Sequence, residues 1–219
     1  MSLKTTLIQS IFTAVALLAA CSGEKTASEY LDSAKSHLES GNVRTALIET
    51  RNAVSQAPDN SAARLLLGTL ELKQGNPPAA EAALLKAKEL GTPRVEIAAN
   101  LAEAYFFQGK LEELQQIDAS SLNDSDKARV LAYHSEAALI QGEIAQANQL
   151  ARDALNTDPL SSVALTINAR LQLFENNIPE ARTYLATTLD AAPDYSLAWE
   201  LLGDIELSLI HISEPTRPY

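Results

Sequence analysis

The sequence predicts an all-α fold: a solenoid of antiparallel helix pairs. Four interleaved residue series with one shared period carry that expectation. Small residues recur at Ala34, Gly68, Ala102, Ser135, Ala169 and Gly203, at steps of 34, 34, 33, 34 and 34 residues. Turn formers recur beside them at Gly41, Gly75, Gly109, Gly142 and Asn176. Ala46, Ala80, Leu114, Ala147 and Ala181 form a third series, and Pro58, Pro93, Pro159 and Pro193 punctuate the chain. Self-similarity at a fixed period marks a repeat architecture, in which each unit buries its apolar face by stacking on its neighbours.

The chain opens on a segment of a different kind. Lys4 is the only charge before Cys21, and Ile11 to Ala20 is an apolar run broken only by Thr13. A bilayer span needs roughly 20 apolar residues, so this run is too short for one and suits the apolar core of a signal peptide. Leu18-Ala19-Ala20-Cys21 resembles a bacterial lipobox. That resemblance implies a lipoprotein signal peptide over 1–20, acylation of Cys21 and a lipidated tether over 21–26. Each buried acyl methylene contributes about 0.8 kcal/mol, so two or more chains anchor a protein stably. Ser22 in place of Asp then implies the outer membrane of a Gram-negative cell, and hence a site on its periplasmic face.

Each repeat reads as helix, short turn, second helix. In 61–94, Leu65, Leu66, Leu67, Leu70 and Leu72 give the first helix its apolar face. Gly75-Asn76-Pro77 breaks it, since Gly is favoured just past a helix end and Pro at the next helix start. Ala79, Ala80, Ala83, Leu84 and Ala87 carry the second helix, and Gly91-Thr92-Pro93 ends it. Helices approach within ~8–10 Å only where their contact side chains are short, so Gly68 is expected to face Ala80 and Ala34 to face Ala46. The expected units are 27–60, 61–94, 95–127, 128–161 and 162–195, with a half repeat over 196–206.

These units resemble tetratricopeptide (TPR) repeats, and that resemblance implies a right-handed superhelical solenoid. The family's W-x-x-L-G pattern stands at Trp199-Glu-Leu-Leu202-Gly203. Its later Ala and Pro positions stand at Ala46, Ala53 and Pro58, at Ala147, Ala154 and Pro159, and at Ala181 and Pro193. The third repeat departs from the pattern. Leu114 replaces the small residue, the second helix is expected to stop near Ile117, and the polar stretch Asp118 to Asp126 reads as a degenerate repeat, or as a hinge or binding loop.

The TPR resemblance implies a concave groove lined by positions two, five, nine, twelve and thirteen of each first helix. Those positions include Leu31, Lys35 and Leu38; Leu65, Thr69 and Lys73; Glu96, Glu103, Phe106 and Phe107; Arg129, Glu136 and Ile140; and Thr166, Arg170 and Phe174. Arg and aromatic side chains are common interface anchors. Lys35, Lys73, Glu103, Phe106, Phe107, Glu136, Arg170 and Phe174 are therefore the candidate contacts for a protein or peptide ligand.

Composition excludes several classes. The net charge of -11 argues against nucleic acid, which demands clustered Lys and Arg. One cysteine makes neither an internal disulfide nor a Cys-based zinc module. His37, His134 and His211 have no metal-ligand spacing. No phosphate-binding loop or nucleophile elbow is present. No cofactor, no metal and no catalytic residue are expected, so the chain does not read as an enzyme.

The lipobox together with Leu31-Asp-Ser-Ala-Lys35 and Pro58-Asp-Asn60 through Gly68 resembles the N-terminal part of the PEP-CTERM system TPR-repeat lipoproteins. That resemblance implies a membrane-anchored interaction scaffold in exopolysaccharide production or exosortase-linked protein sorting. Two alternatives stay open: an adaptor of an outer-membrane assembly or secretion machine, and the N-terminal fragment of an enzyme. Residues 207–219 resemble the translation of a sequencing adaptor and are expected to be an artefactual tail. The last helix is then expected to present Leu201, Leu202 and Ile205 without a partner helix.

Overall fold

The computed structural model describes residues 25–213, with side chains as far as Leu207. The expected signal peptide, Cys21 and the last six residues lie outside the described residues. Within them the chain forms eleven helices and no strand. These are α1 (Ala27–Glu39), α2 (Val43–Gln56), α3 (Ser61–Lys73), α4 (Pro77–Glu89), α5 (Arg94–Phe107) and α6 (Leu111–Gln115). Then follow α7 (Asp124–Ile140), α8 (Ile144–Thr157), α9 (Ser162–Phe174), α10 (Ile178–Ala191) and α11 (Ser196–Ser213). From α1 to α9, each odd-numbered helix packs on the even-numbered helix after it, and the pairs stack in order. This is the all-α solenoid the periodicity predicts.

Local chemistry sets the helix ends. Thr26 and Glu29 make a reciprocal capping box at α1. Asn60, Asn123 and Ser161 cap α3, α7 and α9, each accepting a hydrogen bond from the backbone N–H three residues on. The turn series ends the first helices: Gly41, Gly75, Gly109, Gly142 and Asn176 all take positive φ. The residue after each donates its N–H five residues back, as Asn42 does to the His37 carbonyl (2.8 Å) and Asn177 to Gln172 (2.7 Å).

The small-residue series packs the hairpins. A Cβ on Gly68 would lie 2.5 Å from Leu84 Cγ and 3.2 Å from the Ala80 carbonyl oxygen, so Gly68 faces α4 as expected. Ala34 and Ala46 are both fully buried. Gly203 meets nothing within 4 Å, because no second helix follows α11 among the described residues.

The third hairpin is the irregular one. Its second helix, α6, has only five residues, while α2, α4, α8 and α10 have 13 or 14. A loop follows, with the Asp118 carboxylate accepting the N–H and hydroxyl of Ser120 (both 2.8 Å). Then α7 starts at Asp124, ahead of the expected boundary at 128, because Asn123 supplies a cap there.

The end of the solenoid corrects one expectation. Ile205 is 3% exposed, and Leu201 and Leu202 are partly buried beside Ala181, Leu185 and Ala198. α11 lays these side chains back onto α9 and α10, so they are not left bare. The helix continues unbroken to Ser213, across the start of the expected tail.

Candidate functional site

Stacking places the first helices side by side, and a cleft of about 910 Å³ opens against them. α3 contributes Thr69, Leu72 and Lys73; α5 contributes Asn100, Glu103 and Phe107; α7 contributes Arg129 and Tyr133. The segment joining α10 to α11 closes the far side with Asp194 and Tyr195, and α11 adds Leu197.

A chain of polar contacts crosses the floor from repeat to repeat. The Asn100 amide donates to the Thr69 hydroxyl (3.1 Å), and Arg129 donates to the Asn100 carbonyl oxygen (3.1 Å). Arg129 also pairs with Glu103 (2.8 Å) and with Asp126 (3.3 Å). Burial works against the Arg129 charge, but the opposing charges led by Glu103 outweigh it and raise its pKa. Burial, reinforced by Glu103, pushes the Tyr133 phenol well above its ordinary value. The same two causes push Tyr195 up to about 12. Both phenols therefore stay protonated at neutral pH.

Aromatic surface lies beside this floor. The Phe106 ring is 5.2 Å from Phe107 and 5.4 Å from Tyr133, centroid to centroid, in edge and tilted geometries that favour aromatic pairs. Phe107 is 53% exposed, whereas Phe106 is half-buried as packing.

The candidate contacts separate into groups. Lys73, Glu103 and Phe107 line the cleft together. Lys35 and Phe174 are exposed on α1 and α9 but do not line it. Glu136 is 1% exposed and sits 3.2 Å from Arg170. Leu31 and Thr166 are buried: Leu31 packs with Ala53 and Ala63, and the Thr166 hydroxyl donates to the Ser162 carbonyl. Neither offers its side chain to a groove ligand.

Among the cleft residues that escape the positional pattern are Asn100, Tyr133 and Tyr195. Asn100 and Tyr133 occupy the sixth position of their repeats, a place the five-position rule omits. Tyr195 sits in a connecting segment and enters only because α11 folds back.

A stack of helix hairpins with one polar and aromatic cleft defines a solenoid interaction protein, and comparison gives its family. Two family models, both described as tetratricopeptide repeat, match residues 31–95 and 138–205, together more than half of the chain. The chain belongs to the tetratricopeptide-repeat family. The stretch between the two matches contains the shortened hairpin.

Solved structures agree on the fold. A thermophilic TPR protein of Thermus thermophilus, TTC0263, is 19% identical, with 83% of this chain and 100% of that one covered and a TM-score of 0.62. PilF of Pseudomonas aeruginosa is 19% identical, with coverages of 78% and 79% and a TM-score of 0.57. YrrB, a TPR protein with an unusual peptide-binding site, is 17% identical, with coverages of 80% and 91% and a TM-score of 0.50. No curated protein matches the chain.

Proposed function

We propose that this protein is a membrane-anchored TPR scaffold that holds a protein or peptide partner in the cleft of its first helices. The cleft carries the reading. It joins side chains from three consecutive hairpins, presents the exposed Phe107 ring beside Lys73, and keeps its floor internally hydrogen-bonded. Such a floor keeps its shape without a ligand, so little ordering cost remains when one binds. The lipobox-like Leu18-Ala19-Ala20-Cys21 supports the anchor, and the sequence resemblance supports a role in exopolysaccharide production or exosortase-linked sorting.

Two experiments test the two halves. A photocrosslinking amino acid at position 107, in cells of the producing organism, is expected to trap a discrete protein partner. Lys73→Glu is expected to weaken that crosslink. A crosslinking pattern identical to that from an exposed position on the outer helices, such as Ile48, overturns the cleft as the binding site. For the anchor, the protein is expected in the membrane fraction with labelled fatty acid incorporated, and Cys21→Ser to lose both. Soluble, unlabelled wild-type protein overturns the anchor.

A further inference from the structure

We infer that the partner held by the cleft is a proline-rich segment in the polyproline II conformation, with an apolar side chain at every third residue and an acidic one at the next such place at one end. This inference rests on the proposed function and names the chemistry of its partner. It begins from a row of exposed side chains. Lys73, Phe107, Ile140 and Phe174 stand at steps of 34, 33 and 34 residues, each two places before a turn residue with positive φ. They therefore hold one register position on the successive first helices α3, α5, α7 and α9. The three apolar members are 53%, 61% and 62% exposed. Lys73 is exposed too and has no ion-pair partner among the described residues. Lys73 and Phe107 line the cleft, and Ile140 and Phe174 carry the row out of it across α7 and α9.

The spacing of the row selects the backbone of its occupant. α3 touches α5, α5 touches α7 and α7 touches α9. Helices in contact lie ~8–10 Å apart, so an occupant that meets every rung must return the same face at that interval. A polyproline II helix does so, since three residues per turn at ~3.1 Å each bring one face round every ~9.3 Å. A β-strand returns a face every two residues, at ~6.6 Å and then ~13 Å, and misses the rungs. An α-helix comes near only after seven residues, at ~10.5 Å, and its face drifts by ~20° each time.

Surface chemistry agrees with the spacing. Phe107 packs edge-on against Phe106 and lies 6.4 Å from the Tyr133 ring, which leaves aromatic surface open to the cleft. Aromatic-lined grooves take polyproline II segments because these are preformed and lose little entropy on docking. Charge fixes one end of the motif. The row passes from three apolar rungs to the ammonium of Lys73, so the complementary side chain there is a carboxylate.

The probe is fluorescein-labelled Asp-Pro-Pro-Leu-Pro-Pro-Leu-Pro-Pro-Leu-Pro-Pro-Asp with an amidated C-terminus, titrated into the full chain and read by fluorescence anisotropy. Aspartate at both ends lets either chain direction meet Lys73. Saturable binding is expected. Lys73→Glu is expected to weaken it about tenfold, or about 1.4 kcal/mol, and a peptide with lysine in place of both aspartates is expected to regain affinity for that variant. Ile140→Ser with Phe174→Ser changes exposed side chains only and is expected to weaken binding similarly, with circular dichroism checking the fold. A peptide of the same composition with its leucines two residues apart leaves the protein untouched and is expected to bind more weakly. Absent saturable binding overturns the inference. So does binding that leucine spacing or Lys73→Glu leaves unchanged. Tighter binding of a helical peptide with leucine at every seventh residue of an Ala/Glu/Lys background also overturns it, in favour of a docked helix. The crosslink from position 107 reads the cleft itself. A discrete partner trapped there by a protein that ignores the proline-rich probe overturns this inference and leaves the proposed function standing.

Discussion

Glu136 on α7 lies 3.2 Å from Arg170 on α9, yet neither of its carboxylate oxygens has a hydrogen bond. The glutamate is almost wholly buried, whereas Arg170 keeps about a third of its side chain in water. Burial raises the Glu136 pKa and Arg170 only partly opposes it. The guanidinium thus compensates a charge that the fold holds in an unfavourable place.

Arg170→Met is expected to lower stability by about 2 kcal/mol at pH 7, since it strands a buried carboxylate. The sign of the pH dependence follows from the raised pKa. The folded state binds its proton more tightly than the unfolded state. Stability from protonation is therefore full below the ordinary glutamate value of 4.5 and is lost as pH rises through the higher folded value. The Arg170→Met deficit should shrink on mild acidification, and Glu136→Gln should remove that dependence. Urea melts across the acidic range check both; a deficit that grows toward low pH would contradict the account.

Gly68→Ala is expected to destabilise by about 1 kcal/mol or more, although alanine is the better helix former. The added Cβ would sit 2.5 Å from Leu84 Cγ and 2.7 Å from Leu84 Cδ2. Leu84→Ala removes that clash while leaving its own cavity. The double variant should therefore lose less than the two single losses combined, and a double-mutant cycle reads the difference. Additive losses would mean that α3 and α4 do not meet at this pair.

The legibility of the sequence divides along the same physical line. Gly41, Gly75, Gly109, Gly142 and Asn176 are readable because positive φ is a local demand. Gly68 is readable because a close helix approach excludes a side chain at one spacing. Phe107 and Lys73 reach the cleft from positions the family pattern assigns. Tyr195 does not yield to such reading, since its place depends on how far the stacked pairs curl toward α5. The burial of Glu136 is hidden for the same reason: it arises between α7 and α9, not within either helix.

Asn176 tests the turn chemistry directly. It is the only described non-glycine residue with positive φ, at 61°, where four sister turns use glycine. A Cβ-bearing residue without a short polar side chain is disfavoured there. Asn176→Ala is expected to cost about 1 kcal/mol, and Asn176→Gly to be neutral or slightly stabilising. Thermal unfolding of the two variants gives the order; alanine matching glycine would contradict the turn assignment.

His134 provides the last prediction. Its Nε2–H donates to the Leu114 carbonyl at 2.9 Å, tying α7 to the end of the short helix α6. Burial lowers its pKa below the ordinary 6.5, and the bond to Leu114 opposes that only in part. The unfolded chain therefore takes up this proton more readily than the folded one. Its contribution to stability is full above pH 6.5 and is lost as pH falls through 6.5 toward the lower folded value. This slope is opposite to that of Glu136. His134→Gln keeps an N–H donor and cannot titrate, so it should flatten the slope just below pH 6.5. Hydrogen exchange offers the local check, because α6 and the following loop should open faster in wild type as that window is crossed. Equal exchange in wild type and His134→Gln throughout would show that this imidazole does not hold α6 in place.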